Sequence, residues 1–255
     1  MGHHRFKLCG ILEHVSFDVL GSYMRHPDVD LVECRLDLWE TKVGRAGLYV
    51  LFDGLLEAQR WPVIIACRPR RDGGFFEGND KERVSVLLRA VESGAEWVEL
   101  GYDEPEEFFH LFSEKRARVI RTYRVQPDES IDTNLLKDRC REIAQKGADV
   151  LRIIGHVEHP ADCCIFLKII PEMQEELGKG VIAYGLGNKG RWSRIACLFL
   201  GSPWTYVHFS PIDMKERHKF DAHTARMILK YLHGETVPDD PLCTDPTVCG
   251  YRPPR

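Results

Sequence analysis

Eight short apolar runs alternate with longer amphipathic stretches along this chain, and that alternation constrains its fold more than any other feature. The runs cover 7–12, 30–38, 62–68, 96–101, 118–124, 148–155, 180–185 and 204–209. Each is bounded by Gly, Pro, Asp or charged residues, as strands buried on both faces tend to be. Between them, 82–92 sets Val84, Leu87, Leu88 and Val91 at helical spacing. The stretch 133–146 does the same with Leu135, Leu136, Cys140 and Ile143, and Gly147 follows as a C-cap. The stretch 160–177 opens with a proline near its first turn and is predicted to break or kink at Pro171. A last helix is predicted over 221–232, with Gly234 just past its end. Strands alternating with helices predict a parallel sheet, and eight strands close into a (β/α)8 barrel. An open, doubly wound sheet is the alternative; the near-regular spacing and the lack of a linker weigh against it. The expected organisation is one barrel domain over 1–236 and an irregular tail, rich in Pro, Asp and Thr, over 237–255.

Composition narrows the function classes. A chain of 255 residues has the usual size of such a barrel, and a net charge of -4 gives no case for a nucleic-acid partner. No apolar run approaches the ~20 residues that span a bilayer, so no membrane association is expected. The start, Met1-Gly2-His3-His4-Arg5-Phe6-Lys7, lacks the apolar stretch of a signal peptide, and a cytoplasmic location is expected. Nine cysteines cannot all pair within one chain. Cys34, Cys67, Cys140 and Cys197 sit inside apolar runs and read as buried thiols, and a bond between the neighbours Cys163 and Cys164 would be strained. Cys243 and Cys249 in the tail could pair.

In a barrel, ligands are met where strands run out into the following loops. In the second strand Glu33, Arg35 and Asp37 alternate, which places all three on one face. Charges on a buried strand are costly unless paired or solvated within a site. A structural ion pair between Glu33 and Arg35 is the plain alternative to a site role. After the third strand, Arg68 is followed by Pro69-Arg70-Arg71-Asp72-Gly73-Gly74. Arg68 is an anion anchor there, whereas Arg70 and Arg71 read as a basic surface turn. The segment Gly147-Ala148-Asp149-Val150-Leu151-Arg152-Ile153-Ile154 reads as a helix stop and then a buried strand that directs Arg152 toward the loops. After the seventh strand, Gly185-Leu186-Gly187-Asn188-Lys189-Gly190 matches a glycine pattern of dinucleotide sites, though not in an opening βαβ unit. The preferred reading is an anion-holding loop with Arg194 as its cation. His156, Glu158, His159, Asp162 and Cys163 could suggest a metal cluster, but no second ligand pair accompanies them, and no metal is expected.

Taken together, these pieces resemble type I 3-dehydroquinate dehydratases along nearly the whole chain and in the same order. Glu33-Cys34-Arg35-Leu36-Asp37 is similar to that family's Glu-x-Arg-x-Asp strand. Arg68 with Asp72-Gly73-Gly74 is similar to its Arg-x-x-x-Glu-Gly-Gly loop, with Asp for Glu. Gly187, Gly190, Ser193 and Arg194, then Gly201-Ser202 and Thr205, are similar to its Gly-x-x-Gly-x-x-Ser-Arg and Gly-Ser-x-x-Thr segments. The resemblance implies a barrel without a cofactor, acting on a shikimate-pathway acid, and a homodimer in some members. The positions that carry the family's chemistry differ. Its Schiff-base Lys corresponds to Arg152, and its catalytic His to Arg124 in Thr122-Tyr123-Arg124. Its Met after strand seven is Leu186, and its closing loop after strand eight shortens to Ser210-Pro211. A guanidinium is neither an amine nucleophile nor an acid/base at ordinary pH.

The expectation is a mouth where Arg35, Arg68, Arg124, Arg152 and Arg194 converge with Glu33, Asp37, Asp72 and Glu99, holding a small anionic carboxylate or phosphate. The alternatives are a working dehydratase with surrogate groups (Lys189, His156, His159 or His208) and a nucleotide-dependent enzyme built on the glycine loop.

Overall fold

The structure is a computed structural model that describes residues 5–13, 22–57, 61–209 and 219–234. Cys243, Cys249, Ser210, Pro211 and the tail lie outside the described residues. Eight parallel strands form one sheet in the order β7-β6-β5-β4-β3-β2-β1-β8. They are β1 Leu8–Leu12, β2 Leu31–Arg35, β3 Val63–Ala66, β4 Trp97–Gly101, β5 Arg118–Val125, β6 Val150–His156, β7 Gly180–Leu186 and β8 Thr205–Val207. The order is sequential, so the sheet curls around rather than doubling back at a switch point, and the fold is a (β/α)8 barrel. No described helix is long and apolar enough to cross a membrane.

Closure shows in contacts across the interior. Trp97 opens β4 and Trp204 leads into β8, on opposite sides of the barrel, yet their rings meet edge to face at 5.3 Å. Both are buried and fill the bottom. Two residues further along the even strands come Glu33, Glu99, Arg152 and Tyr206. Arg152 reaches both carboxylates and lies over the Tyr206 ring at 4.0 Å. Four residues from alternate strands thus form one interior layer, as barrel geometry requires. The Ser202 hydroxyl donates to the Val181 carbonyl at 3.0 Å, tying the approach to β8 onto β7.

Two local expectations are corrected. The second strand ends at Arg35, and a helix, Leu36–Glu57, begins at once, bent at Gly44 (φ 67°). Asp37 therefore lies in a first helical turn, where the helix dipole favours an acid, and not on the strand face with Glu33. Pro171 does not break its helix, which runs on from Cys163 to Leu177 after a short turn at Pro160–Asp162. Phe166, Ile169, Ile170 and Met173 are fully buried on both sides of the proline, and that packing outweighs one missing hydrogen bond.

Candidate functional site

The mouth of the barrel, at the C-terminal ends of the strands, holds a cavity of about 350 Å³. All five arginines singled out in the sequence, Arg35, Arg68, Arg124, Arg152 and Arg194, line it, with Ile154, His156, Gly187 and Lys219. A second, outer hollow of about 330 Å³ adjoins it. Arg68, Gly73, Arg124, His156 and Leu186 line both. Asp72 lines only the outer hollow, and there burial pushes its carboxyl up from the usual range.

At the floor, four charges neutralise one another. Arg68 donates to Glu99 from Nε at 2.9 Å and from a terminal nitrogen at 2.6 Å, and to Glu33 at 3.1 Å. Arg152 donates to Glu99 at 3.2 Å and to the Tyr184 hydroxyl at 3.3 Å, and lies 3.5 Å from Glu33. The Thr122 hydroxyl donates to Glu99 at 2.7 Å. Burial by itself would raise Glu99, but Arg68 and then Arg152 overcome that and hold its pKa at about 2. Glu33 has fewer and longer contacts; burial pushes it up, and Arg68 offsets this only in part. Burial also works against the Arg152 cation, but the oxygens of Tyr184 and Tyr206 and the two carboxylates keep its pKa well above the ordinary value.

Arg35 follows a different plan from the one its spacing suggests. The Glu33–Arg35 ion pair does not form. Arg35 grips Asp37 with two hydrogen bonds, at 3.0 and 2.8 Å, while Asp37 also accepts the Phe75 amide at 3.1 Å. The turn into the helix brings Asp37 back beside Arg35, whereas Glu33 faces the barrel centre one layer lower. Arg152 is likewise not at a strand end: it sits four residues before the end of β6, inside the barrel.

Two guanidiniums of the mouth have no carboxylate among the described residues. Arg194 is only 2% exposed; its charge lies over the Tyr184 ring at 4.4 Å, and its buried Nε has no hydrogen-bond partner. Arg124, at the end of β5, is half-buried. Burial lowers its pKa to about 10, and the neighbouring Arg68 and Arg152 add to the effect.

The glycine loop has a packing cause. A Cβ on Gly190 would come within 2.5 Å of the Gly185 backbone, and the Ser193 hydroxyl accepts the Gly185 amide at 3.0 Å while donating to the Gly190 carbonyl at 2.6 Å. These contacts hold the loop against the end of β7 and seat Arg194, which follows Ser193. Gly187 adopts φ +81°, and its missing side chain leaves room for the His156 ring.

The surrogate groups fare unequally. Lys189 is exposed, 3.8 Å from Glu158. His159 leads a short helical turn at the surface, and His208 is buried beside Asp221. Neither lines the cavity; His156 does. Lys219, which no motif marked, is buried in the wall, its amine donating to Glu13 at 3.0 Å. Arg70 and Arg71 are surface residues paired with Glu77 and Asp80. Among the described residues no group of three or more His, Cys, Asp or Glu could hold a metal ion, and all seven described cysteines are free.

Comparison with known proteins completes this picture. The family model described as Type I 3-dehydroquinase matches residues 22–236. The chain belongs to the type I 3-dehydroquinase family. It is 35% identical to 3-dehydroquinate dehydratase of Syntrophobacter fumaroxidans over 223 residues, covering 88% of this chain and 95% of that protein. It is 30% identical to the enzyme of the same name from Dehalococcoides mccartyi, covering 72% of this chain and 86% of that one. Among solved structures, 3-dehydroquinate dehydratase from Geobacillus kaustophilus superimposes with a TM-score of 0.80 at 19% identity, over 91% of this chain and 92% of that one.

Proposed function

We propose that this chain binds a small anionic polyhydroxy carboxylate in its arginine-lined mouth and does not dehydrate 3-dehydroquinate through a Schiff base. One observation carries the reading. The side chain at the Schiff-base position is Arg152, fixed by Glu99 and Tyr184, and it stays charged. Imine formation needs a neutral amine whose lone pair attacks the ketone, and a guanidinium has none to give. The imidazole position is Arg124, which holds its proton until about pH 10 and cannot cycle it near neutrality. What remains is suited to recognition: Arg194, oriented by Tyr184 and the Ser193 loop, can take a carboxylate in a fixed direction.

A working dehydratase is the second reading, supported by the names of the relatives and by Lys219, whose amine lines the same cavity. Borohydride reduction in the presence of 3-dehydroquinate, read by intact mass and peptide mapping, separates the two. The proposal expects no adduct and no turnover. An adduct on Lys219, or on any other lysine, overturns it. Arg152→Lys, which returns an amine to β6, is expected to create a reducible adduct. Binding without chemistry is checked by the thermal shift that a saturating acid produces.

A further inference from the structure

The charges around the cavity are not balanced, and the imbalance has a location. Among the described residues, six cations line the inner cavity: Arg35, Arg68, Arg124, Arg152, Arg194 and Lys219. Four carboxylates answer four of them. Asp37 takes Arg35, Glu33 and Glu99 together take Arg68 and Arg152, and Glu13 takes Lys219. Arg124 and Arg194 are left over, on different sides of the cavity. Arg194 stands in the first turn of the helix Ser193–Phe199 and lines only the inner of the two hollows. Arg124 ends β5 and lines both hollows. Both line the inner cavity, Arg194 with its charge over the Tyr184 ring, so the two charges face a common space.

We infer that the ligand carries two acidic groups, a carboxylate on Arg194 and a second, carboxylate or phosphate, on Arg124 at the junction of the two hollows. This rests on the reading of the cavity as a carboxylate site. A cation withdrawn from water with no counter-charge is costly, and here buried Arg194 and half-buried Arg124, neither with a carboxylate among the described residues, sit beside two paired guanidiniums that repel them. One carboxylate answers Arg194 and leaves Arg124 uncompensated. A second acidic group placed toward the outer hollow meets Arg124 without displacing Glu99 or Glu33 from Arg68. The outer hollow has room for a phosphoryl group, and the shared position of Arg124 in both walls gives the second charge a defined direction.

Titration calorimetry on the full chain tests this with three probes: shikimate as the monoanion, shikimate 3-phosphate, and cis-cyclohexane-1,3-dicarboxylate. The parent is expected to bind at least one of the probes with two acidic groups about tenfold or more tighter than shikimate, the scale of one charge-assisted contact. The preference should shrink as salt is raised. Arg194→Met is expected to weaken all three probes. Arg124→Met is expected to weaken the preferred probe with two acidic groups about tenfold more than it weakens shikimate, and Arg124→Lys to restore part of the difference. Thermal unfolding of each variant establishes that it is folded before titration. Which probe is preferred decides between phosphate and carboxylate. Shikimate binding with no preference for either probe with two acidic groups, or equal losses across probes in Arg124→Met, overturns the second acidic group and leaves the carboxylate site standing. Failure of the parent to bind any of the three overturns both.

Discussion

Arg121 and Arg124 stand three residues apart on β5, and they solve the problem of a buried cation in opposite ways. Arg121 faces the helical layer and is completely buried. Its guanidinium donates to the carbonyls of Glu104 at 2.6 Å, Lys146 at 3.2 Å, Gly147 at 3.2 Å, Pro105 at 3.4 Å and Gly101 at 3.5 Å. These carbonyls belong to the loop after β4 and to the end of the helix Thr133–Gln145 with its exit turn. Arg121 therefore stitches two connections to the barrel wall and has no donor left for a ligand. Arg124 faces the mouth and has no carboxylate partner among the described residues. The same residue type is structural where the fold supplies acceptors and available where it does not. Arg121 is completely buried and Arg124 half-buried, and the list of acceptors separates their roles.

The largest expected effect lies on the structural side. Arg121→Met should destabilise the fold by about 3 kcal/mol or more, because five carbonyls lose a charged donor in a site water cannot refill. Urea unfolding with an unchanged m-value would show it. A loss under about 1 kcal/mol would break the comparison, since Arg121 would then be no more essential than a surface arginine.

Glu99→Gln comes next, with an expected loss of about 2–4 kcal/mol, because Arg68 and Arg152 would keep their charges with one carboxylate fewer. The same carboxylate shapes the acid response. Its pKa is held at about 2 in the fold against an ordinary 4.5, so its contribution is complete above pH 4.5 and is lost as pH falls toward 2. That contribution is roughly 3 kcal/mol. Glu33 works with the opposite sign: its raised pKa makes the fold bind that proton more tightly, so stability from this group is lost as pH rises from 4.5 through its folded value. Unfolding measured between pH 5 and pH 2 should fall steeply in the parent and much less in Glu99→Gln. Parallel curves would mean that Arg68 and Arg152 do not hold Glu99 as the distances imply.

Arg124→Met sharpens the contrast from the other side. Removing a charge that burial and two neighbouring cations disfavour should leave stability unchanged or raise it by about 1 kcal/mol. A loss comparable to that of Arg121→Met, in a differential scan, would mean Arg124 has acceptors after all. The smallest effect belongs to Arg70→Ala. Its ion pair with Glu77 is exposed on both sides, and the change should stay within about 0.5 kcal/mol in the same assay.

Much of the barrel was legible because its signal is local. A run such as Val181-Ile182-Ala183-Tyr184 is apolar on both faces only if both faces are covered, and eight such runs between amphipathic stretches leave few ways to cover them. The arginines of the mouth were legible for a related reason: Arg68, Arg124 and Arg194 follow or end strand-like runs, and barrel topology sends those ends to one side. Partnership was not legible. Alternation placed Glu33, Arg35 and Asp37 on one face, yet a helix starting at Leu36 turned Asp37 onto Arg35 and left Glu33 to residues 35 and more positions away along the chain. Lys219 had no signal at all. It lies outside any strand-like run, and only its position beside Glu13 brings it to the cavity wall.

The sequence by itself determined the alternation of strand and helix, the parallel barrel that follows from it, and the presence of arginine at positions 124 and 152. Those are properties of residue type and order, and no packing arrangement changes them. Tertiary structure alone decided which cations were compensated. Coulombic pairing depends on separations of about 3 Å between groups that lie far apart in the chain, and such separations exist only once the strands have come together. Closure gave Arg152 two carboxylates and two tyrosines, gave Arg121 five carbonyls, and left Arg124 and Arg194 facing the cavity without a counter-charge among the described residues.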